Sequence, residues 1–261
     1  MVLTAEQIKE NYEVLIRGIE KYVTGDRQQK FLDFYNSLDD RIALLPASHK
    51  KAYHNCFPGG YVEHVVRVIT AAFKLNDVWS EMGMADTFTE EELFVSALNH
   101  DLGKIGSLEE VSVFPSTDEW RKKNLGEMYT FNTKNEYMTV PDRSLFLLQQ
   151  AGIQLTTNEF IAIKTHDGLY DEANKFYLMS SMKETRLRTH LPILMHQADH
   201  MAAQIEFEEW NNATDAVPKT SKPKNASKGD KTLRAAKKVN TENNPNLSKA
   251  TIDVIDSFFK D

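Results

Sequence analysis

Apolar residues recur at three- and four-residue steps along much of the first 210 residues of the chain. In residues 5–24, for instance, Ile8, Leu15 and Ile19 fall on one helical face, a spacing typical of an amphipathic α-helix. The same spacing predicts helices in five later segments: about 31–38, 60–82, 143–151, 157–165 and 189–210.

A further helix is marked by a capping signal at its start. In Thr89-Glu90-Glu91-Glu92 the hydroxyl of Thr89 would accept a hydrogen bond from a first-turn amide, and the Glu92 carboxylate would bond back to the Thr89 amide. This capping box predicts a helix that carries the apolar residues 93–98 and ends at His100-Asp101.

Residues 105–141 are rich in Gly, Asn, Lys and Tyr and show no clean period. We expect loops there, with a short hairpin near Met128–Met138. Because alternation of strands and helices is missing elsewhere, the pattern favours an all-α helical bundle.

Composition narrows the class of protein. Hydrophobic residues make up 41% of the 261 residues and charged residues 26%, as in an ordinary globular protein. Cys56 is the single cysteine, which excludes an intrachain disulfide and a cysteine-rich metal site. We find neither a secretory signal nor an apolar run long enough to span a membrane, so we expect a cytoplasmic protein without a membrane partner.

Charge is distributed unevenly along the chain. The whole chain carries −7, residues 216–249 carry +7 and residues 250–261 carry −2, which leaves −12 on residues 1–215. The basic segment would suit a solvated linker, or it would hold a nucleic acid or another polyanion.

These patterns divide the chain into four parts. We expect N-terminal helices (1–48) packed on a helical core (49–210), then a basic low-complexity linker (211–247) and a short helix (248–261). An isolated helix as short as the last is marginal in water. It would therefore dock on the body, on a second subunit or on a partner, which leaves an oligomer open.

Histidines and aspartates stand at the ends of apolar helices. His100-Asp101 closes one apolar run, His166-Asp167 closes another, and Asp199 interrupts a third. A buried carboxylate without a partner costs several kcal/mol. An acid on a buried helix face therefore requires a cation, and a metal ion would supply one.

Two motifs contain the histidines nearest the first of these helix ends. The first motif is His54-Asn55-Cys56-Phe57-Pro58-Gly59-Gly60-Tyr61-Val62-Glu63-His64, and the second is Ala97-Leu98-Asn99-His100-Asp101-Leu102-Gly103-Lys104. Together with the late Asp199, they resemble the HD superfamily of metal-dependent phosphohydrolases over roughly residues 50–205. The second motif is similar to the doublet that names the superfamily, and Asp199 fits its final ligand.

The resemblance implies that His64, His100, Asp101 and Asp199 bind a metal ion. Two imidazoles and two carboxylates suit a divalent ion of borderline or hard character, such as Mn, Mg, Fe, Co, Ni or Zn. Relatives with two metals carry a further histidine before His166, and Val140 appears in its place. We therefore expect one ion, with a second still open.

The resemblance also suggests roles around the metal. Asp101, Lys104 and His166 would be catalytic, and His54, Lys104, Arg143 and His166 would contact the substrate. Each has a structural alternative: Lys104 would neutralise a helix C-terminus, His166 would be a core residue, His54 would stabilise a loop and Arg143 would be an exposed side chain.

The expected reaction is hydrolysis of a phosphate ester by metal-activated water. The expected substrate is a small phosphorylated molecule of the nucleotide class, cleaved by a nucleotidase, triphosphohydrolase or phosphodiesterase. Two alternatives stay open: exonuclease processing of oligonucleotides in the 3′-to-5′ direction, since the first motif resembles HD domains of bacterial exoribonucleases, and a di-iron oxygenase of the HD type.

Overall fold

In the computed structural model, which describes residues 3–85 and 87–215, the chain folds into a bundle of α-helices. The helices are α1 Ala5–Tyr22, α2 Asp26–Ser37, α3 Asp39–Leu44, α4 Gly60–Glu81, α5 Glu90–Asn99, α6 Glu119–Leu125, α7 Val140–Gln150, α8 Thr157–Thr165, α9 Lys175–Leu178 and α10 Leu191–Asp215. Short 3-10 turns lie at Leu102–Ile105, Gly168–Tyr170 and Glu172–Asn174. The prediction of an all-α bundle is confirmed.

The starts of several helices follow the chemistry of their capping residues. At α5 the capping box is formed in both directions, with Thr89 Oγ1 accepting from the Glu92 amide (3.1 Å) and Glu92 accepting from the Thr89 amide (2.9 Å). At α4 the capping residue is Gly59, whose φ of 84° is a left-handed conformation that glycine adopts without strain. Gly59 therefore marks the start of α4 at Gly60, in agreement with the helix that the apolar spacing predicts from about residue 60.

The core is built around α4, which packs against α1, α3, α5 and α10. Every residue from Gly60 to Ile69 is buried, a run of nearly three turns that covers all sides of the helix, as expected for a helix with neighbours all round. Helix α8 packs against α5, α7 and α10. The helices that carry the candidate histidines and aspartates thus meet in the middle of the molecule.

The loop region 105–141 contains the two short strands, β1 (Val113–Pro115) and β2 (Tyr129–Phe131), paired antiparallel. The register places Val113 opposite Phe131. This is not a tight hairpin within Met128–Met138, because the partner of β2 comes before the intervening helix α6. The pairing joins residues that are distant in sequence, which local turn signals do not reveal.

Helix α10 continues to Asp215, five residues past the expected end of the core at residue 210. The rest of the predicted linker 211–247 and the predicted helix 248–261 lie outside the described residues, as does the basic segment 216–249. Among the described helices, none is both long enough and apolar enough to cross a bilayer.

Candidate metal centre

Four predicted ligands converge where α4, α5 and α10 meet. His64 lies near the start of α4, His100 caps the C-terminal end of α5, Asp101 follows it, and Asp199 lies in α10. The Nε2 atoms of His64 and His100 are 3.4 Å apart. An Asp101 Oδ2 atom lies 3.5 Å from each of them.

Asp199 approaches the same two imidazoles. Its Oδ1 lies 3.2 Å from Nε2 of His64 and 3.8 Å from Nε2 of His100. Both histidines are fully buried, whereas the Asp199 side chain is 21% exposed. The cluster is therefore closed on the helix side and accessible near Asp199.

The other ring nitrogens show which atoms are left for a ligand. His100 Nδ1 donates to the Ala97 carbonyl (2.8 Å), and His64 Nδ1 donates to the Glu206 carboxylate (3.1 Å). With both Nδ1 protons committed, Nε2 is the atom that remains for a proton or a metal ion. Two Nε2 atoms facing each other beside two carboxylates are suited to a divalent cation, so the residues present fit a metal ion.

The charges of the cluster lead to the same conclusion. Burial opposes a charged imidazole, but Glu206, Asp101 and Asp199 outweigh it and raise the pKa of His64 well above its usual value. For Asp101, burial favours the neutral acid, but Lys104 and His100 hold its pKa well below the usual value. Asp101 thus stays ionised and attracts positive charge to this point.

His166, the second predicted histidine of a doublet, joins the cluster from the end of α8. Its Nδ1 donates to the Ile163 carbonyl (2.9 Å), and its Nε2 lies 3.6 Å from Asp101 Oδ1. Burial lowers the pKa of His166, but Asp101 and Asp167 more than compensate and raise it to about 9. A proton on Nε2 is therefore available at neutral pH.

Lys104 lies beside the ligands rather than at a distant helix end. Its Nζ is 2.5 Å from Asp101 Oδ2, and its side chain is 22% exposed. The turn that carries it is held close to α7, since the Ser144 hydroxyl accepts from the Gly103 amide (2.7 Å). A Cβ at position 103 would come within 2.2 Å of the Val140 carbonyl oxygen, so this approach requires glycine.

Glu206 is the residue that sequence patterns missed. It is buried in α10, accepts from His64, and lies 3.3 Å from Arg67 Nε through Oε1. Arg67 also binds Glu209 (3.1 Å). The signal was present, because Glu206 follows Asp199 by seven residues, two helical turns, and therefore shares its face.

Within the described part of the chain, two ligand sets have donor atoms within 4.8 Å of one another: His64, His100 and Asp101, and His54, His64 and Glu206. The second set lies next to Arg67, whose guanidinium already balances Glu206. The first set has the additional carboxylate of Asp199. It is therefore the better candidate for a divalent ion.

His54 stacks on His64, with ring centroids 4.7 Å apart. Its Nε2 is buried and has no hydrogen-bond partner among the residues that the structure describes. Burial, together with His64 and Lys104, lowers the pKa of His54 to about 2, so the ring is neutral. It lines the pocket beside the cluster, where an unpaired ring nitrogen is free to accept from a ligand.

Arg143 is half-buried and does not touch the cluster. Its guanidinium donates to the carbonyls of Glu136 (2.7 Å) and Gly103 (3.4 Å). It lines a cavity of about 1230 Å³ together with Lys104. Arg143 thus lies in the wall of the larger cavity and contacts the turn that carries Lys104, but it does not contact the candidate ligands themselves.

A smaller pocket of about 320 Å³ lies over the cluster. Val140, which the resemblance aligned with a further ligand of two-metal HD proteins, is part of its wall. The pocket also contains His196, to which sequence patterns gave no role. His196 Nδ1 donates to the His166 carbonyl (3.0 Å), and its ring packs on the backbone of Gly168.

Comparisons with protein-family models, with curated proteins and with solved structures found no match to this chain. The interpretation of the cluster as a candidate metal site therefore rests on the chain's own residues and their geometry. The protein is a helical bundle with a buried His/Asp cluster that could bind a metal ion, an arrangement compatible with an HD domain.

Proposed function

We propose that the protein hydrolyses phosphate esters with a divalent metal ion held by His64, His100, Asp101 and Asp199. The observation that supports this most is the pair of Nε2 atoms, 3.4 Å apart and flanked by two carboxylates. The resemblance of the His64 and His100-Asp101 motifs to HD phosphohydrolases points to the same chemistry and to the nucleotide class of substrates.

A divalent ion in such a site supplies an activated water and offsets charge on a phosphoryl oxygen. The chain's own residues would do the rest. Lys104 lies at the boundary of the ligand cluster and both cavities, where its ammonium would bind a phosphate oxygen. Since Asp101 is its ion-pair partner, Lys104 is fixed in place before the substrate arrives.

His166 would act as the proton donor. Its Nε2 carries a proton at neutral pH, and His166 lines the pocket over the cluster. Its Nδ1 is held by the Ile163 carbonyl, so the ring cannot turn without losing that hydrogen bond. A leaving oxygen in the pocket would receive the Nε2 proton, a general-acid role.

The test is a phosphate-release screen over nucleotides and simple phosphoesters with Mn, Mg, Co, Ni, Fe and Zn. Asp101→Asn keeps the shape of the side chain and removes the charge, and we expect it to lose metal and turnover. Asp77→Asn, on an exposed position of α4, is the matched control.

Metal content is measured by inductively coupled plasma mass spectrometry on the same samples, and folding by circular dichroism. Full turnover by folded Asp101→Asn would refute the proposed site. Failure of the wild-type protein to release phosphate from any ester with any of these metals would refute the proposed reaction.

A further inference from the structure

The cavity of about 1230 Å³ is larger than the proposed reaction needs. Pockets for drug-sized ligands measure about 300–1000 Å³, and a phosphate group alone would occupy only the 320 Å³ pocket over the cluster. Both cavities share His54, Lys104 and Tyr170 in their walls. A ligand with its phosphate at Lys104 could therefore extend into the larger cavity.

Three rings, His49, Tyr53 and Phe131, lie together in the wall of the larger cavity and are called here the aromatic shelf. The His49 ring centroid lies 4.8 Å from that of Phe131 and 5.8 Å from that of Tyr53. Phe131 is 61% exposed and Tyr53 is 51% exposed. Much of each aromatic surface is therefore uncovered.

The backbone holds the shelf in place. The His49 carbonyl accepts from the amides of Met128 (2.9 Å) and Tyr129 (3.3 Å), which ties the segment before Tyr53 to strand β2. Lys50 and Glu127 pair by a backbone bridge and a salt bridge of 3.3 Å. Clustered apolar surface on a fixed backbone marks a binding surface rather than a flexible loop.

Two basic side chains, Arg143 and Lys104, also line this cavity, together with the acidic Glu136 and Asp167. Arg143 donates to backbone carbonyls, and among the described residues no carboxylate forms an ion pair with it. Lys104 lines both cavities. A ligand with an anionic end and an aromatic end would therefore match Lys104 and the aromatic shelf at once.

We infer that the larger cavity holds a planar aromatic ring of the phosphate ester against Phe131 and Tyr53, with the phosphate toward Lys104. This inference rests on the proposed function. It narrows the substrate class to phosphate esters that carry an aromatic ring, such as nucleoside monophosphates, and excludes sugar phosphates that lack a base. Phe131 and Tyr53 are the specificity-determining residues, because ring stacking is tolerant of ring identity but requires a flat face.

The test compares the equilibrium binding of adenosine 5′-monophosphate and ribose 5-phosphate to the full-length protein. Isothermal titration calorimetry is performed in EDTA, so that no turnover occurs. We expect the nucleotide to bind at least about fivefold more tightly, since base–aromatic stacking contributes roughly a 5- to 150-fold difference in affinity.

Phe131→Leu should remove most of this preference and leave the binding of ribose 5-phosphate unchanged, and Tyr53→Leu should act in the same direction. The matched control is Phe114→Leu, an exposed phenylalanine on the paired strand β1 that is not part of the cavity wall. It should change neither affinity. Circular dichroism confirms folding of all three variants.

Equal affinity for the two ligands, no binding of the nucleotide, or an equal loss of both ligands in Phe131→Leu would each overturn the inference. Phosphate release without ring preference would leave the proposed function standing and refute the shelf alone. Ring preference without phosphate release under any metal would refute the reaction while supporting the shelf as a binding site.

Discussion

Glu206 offers the sharpest test of the metal centre, because it touches a candidate ligand without being one. Its Oε1 accepts from His64 Nδ1 at 3.1 Å and lies 3.3 Å from Arg67 Nε. The substitution Glu206→Gln retains an acceptor of nearly the same shape. In the wild-type protein the negative charge of Glu206 orients the His64 ring and increases the electron density on its Nε2. The substitution removes this charge.

Carboxylates that hold a metal-ligating histidine in this way change metal affinity about 10- to 100-fold when they are mutated. This corresponds to roughly 1.4–2.8 kcal/mol of binding free energy. Because Arg67 keeps its contacts with Glu63 and Glu209, the buried guanidinium is not left without a partner. We therefore expect a folded protein with weaker metal binding.

The assay is a competition titration with a chromophoric chelator, using Mn or Ni. Glu209→Gln is the matched control, since Glu209 binds Arg67 at 3.1 Å but forms none of the hydrogen bonds to His64. We expect it to retain wild-type affinity. The reasoning is refuted if folded Glu206→Gln binds metal as tightly as Glu209→Gln and the wild-type protein.

Three predictions concern stability. Arg27 lies 2.5 Å from the fully buried Glu159, so Arg27→Ala should lower the free energy of unfolding in urea by about 3 kcal/mol. Burial raises the pKa of Glu159, and Arg27 opposes this rise, so the folded-state pKa is higher still in Arg27→Ala. The stability of the variant falls as the pH rises towards that pKa. The loss of unfolding free energy relative to the wild type should therefore be larger at pH 7 than at pH 4. A loss independent of pH would contradict this. Gly103→Ala places a Cβ 2.2 Å from the Val140 carbonyl oxygen. It should lower the free energy of unfolding by about 1–3 kcal/mol and also weaken metal binding. An unchanged urea titration and an unchanged metal titration would show that α7 moves to make room for the methyl group. Thr89→Ala removes the cap of α5 and should lower the unfolding free energy by about 1 kcal/mol, and thermal melting that matches the wild type would show that the cap adds nothing.

The sequence was informative wherever structure is set by neighbours along the chain. The Thr89 capping box and Gly59 mark helix starts because the donors and acceptors involved lie within one turn. The spacing of α8 predicted its bounds, Thr157–Thr165, correctly. The grouping of His64, His100, Asp101 and Asp199, by contrast, came from the resemblance of their motifs to the HD superfamily.

Features that depend on distant contacts were not accessible in this way. Strand β2 pairs with β1 across α6, and neither strand exceeds three residues, too short for a clear alternation. The role of Glu206 depends on Arg67 and His64 from another helix. The two-turn spacing from Asp199 indicates that Glu206 lies on the same face of α10 as Asp199. It does not indicate which residues of α4 this face contacts.

The link between α4 and α10 has a consequence for the protein without the proposed metal ion. Arg67 joins these helices through Glu206 and Glu209, and this ionic crosslink does not need a divalent ion. Chelation should therefore remove the stabilisation that metal binding adds to the folded state and so lower the melting temperature, but it should not unfold the bundle. Binding of the proposed ion would then be a reversible equilibrium on a folded chain, and the supply of metal would set the fraction of metal-bound molecules without any need for refolding.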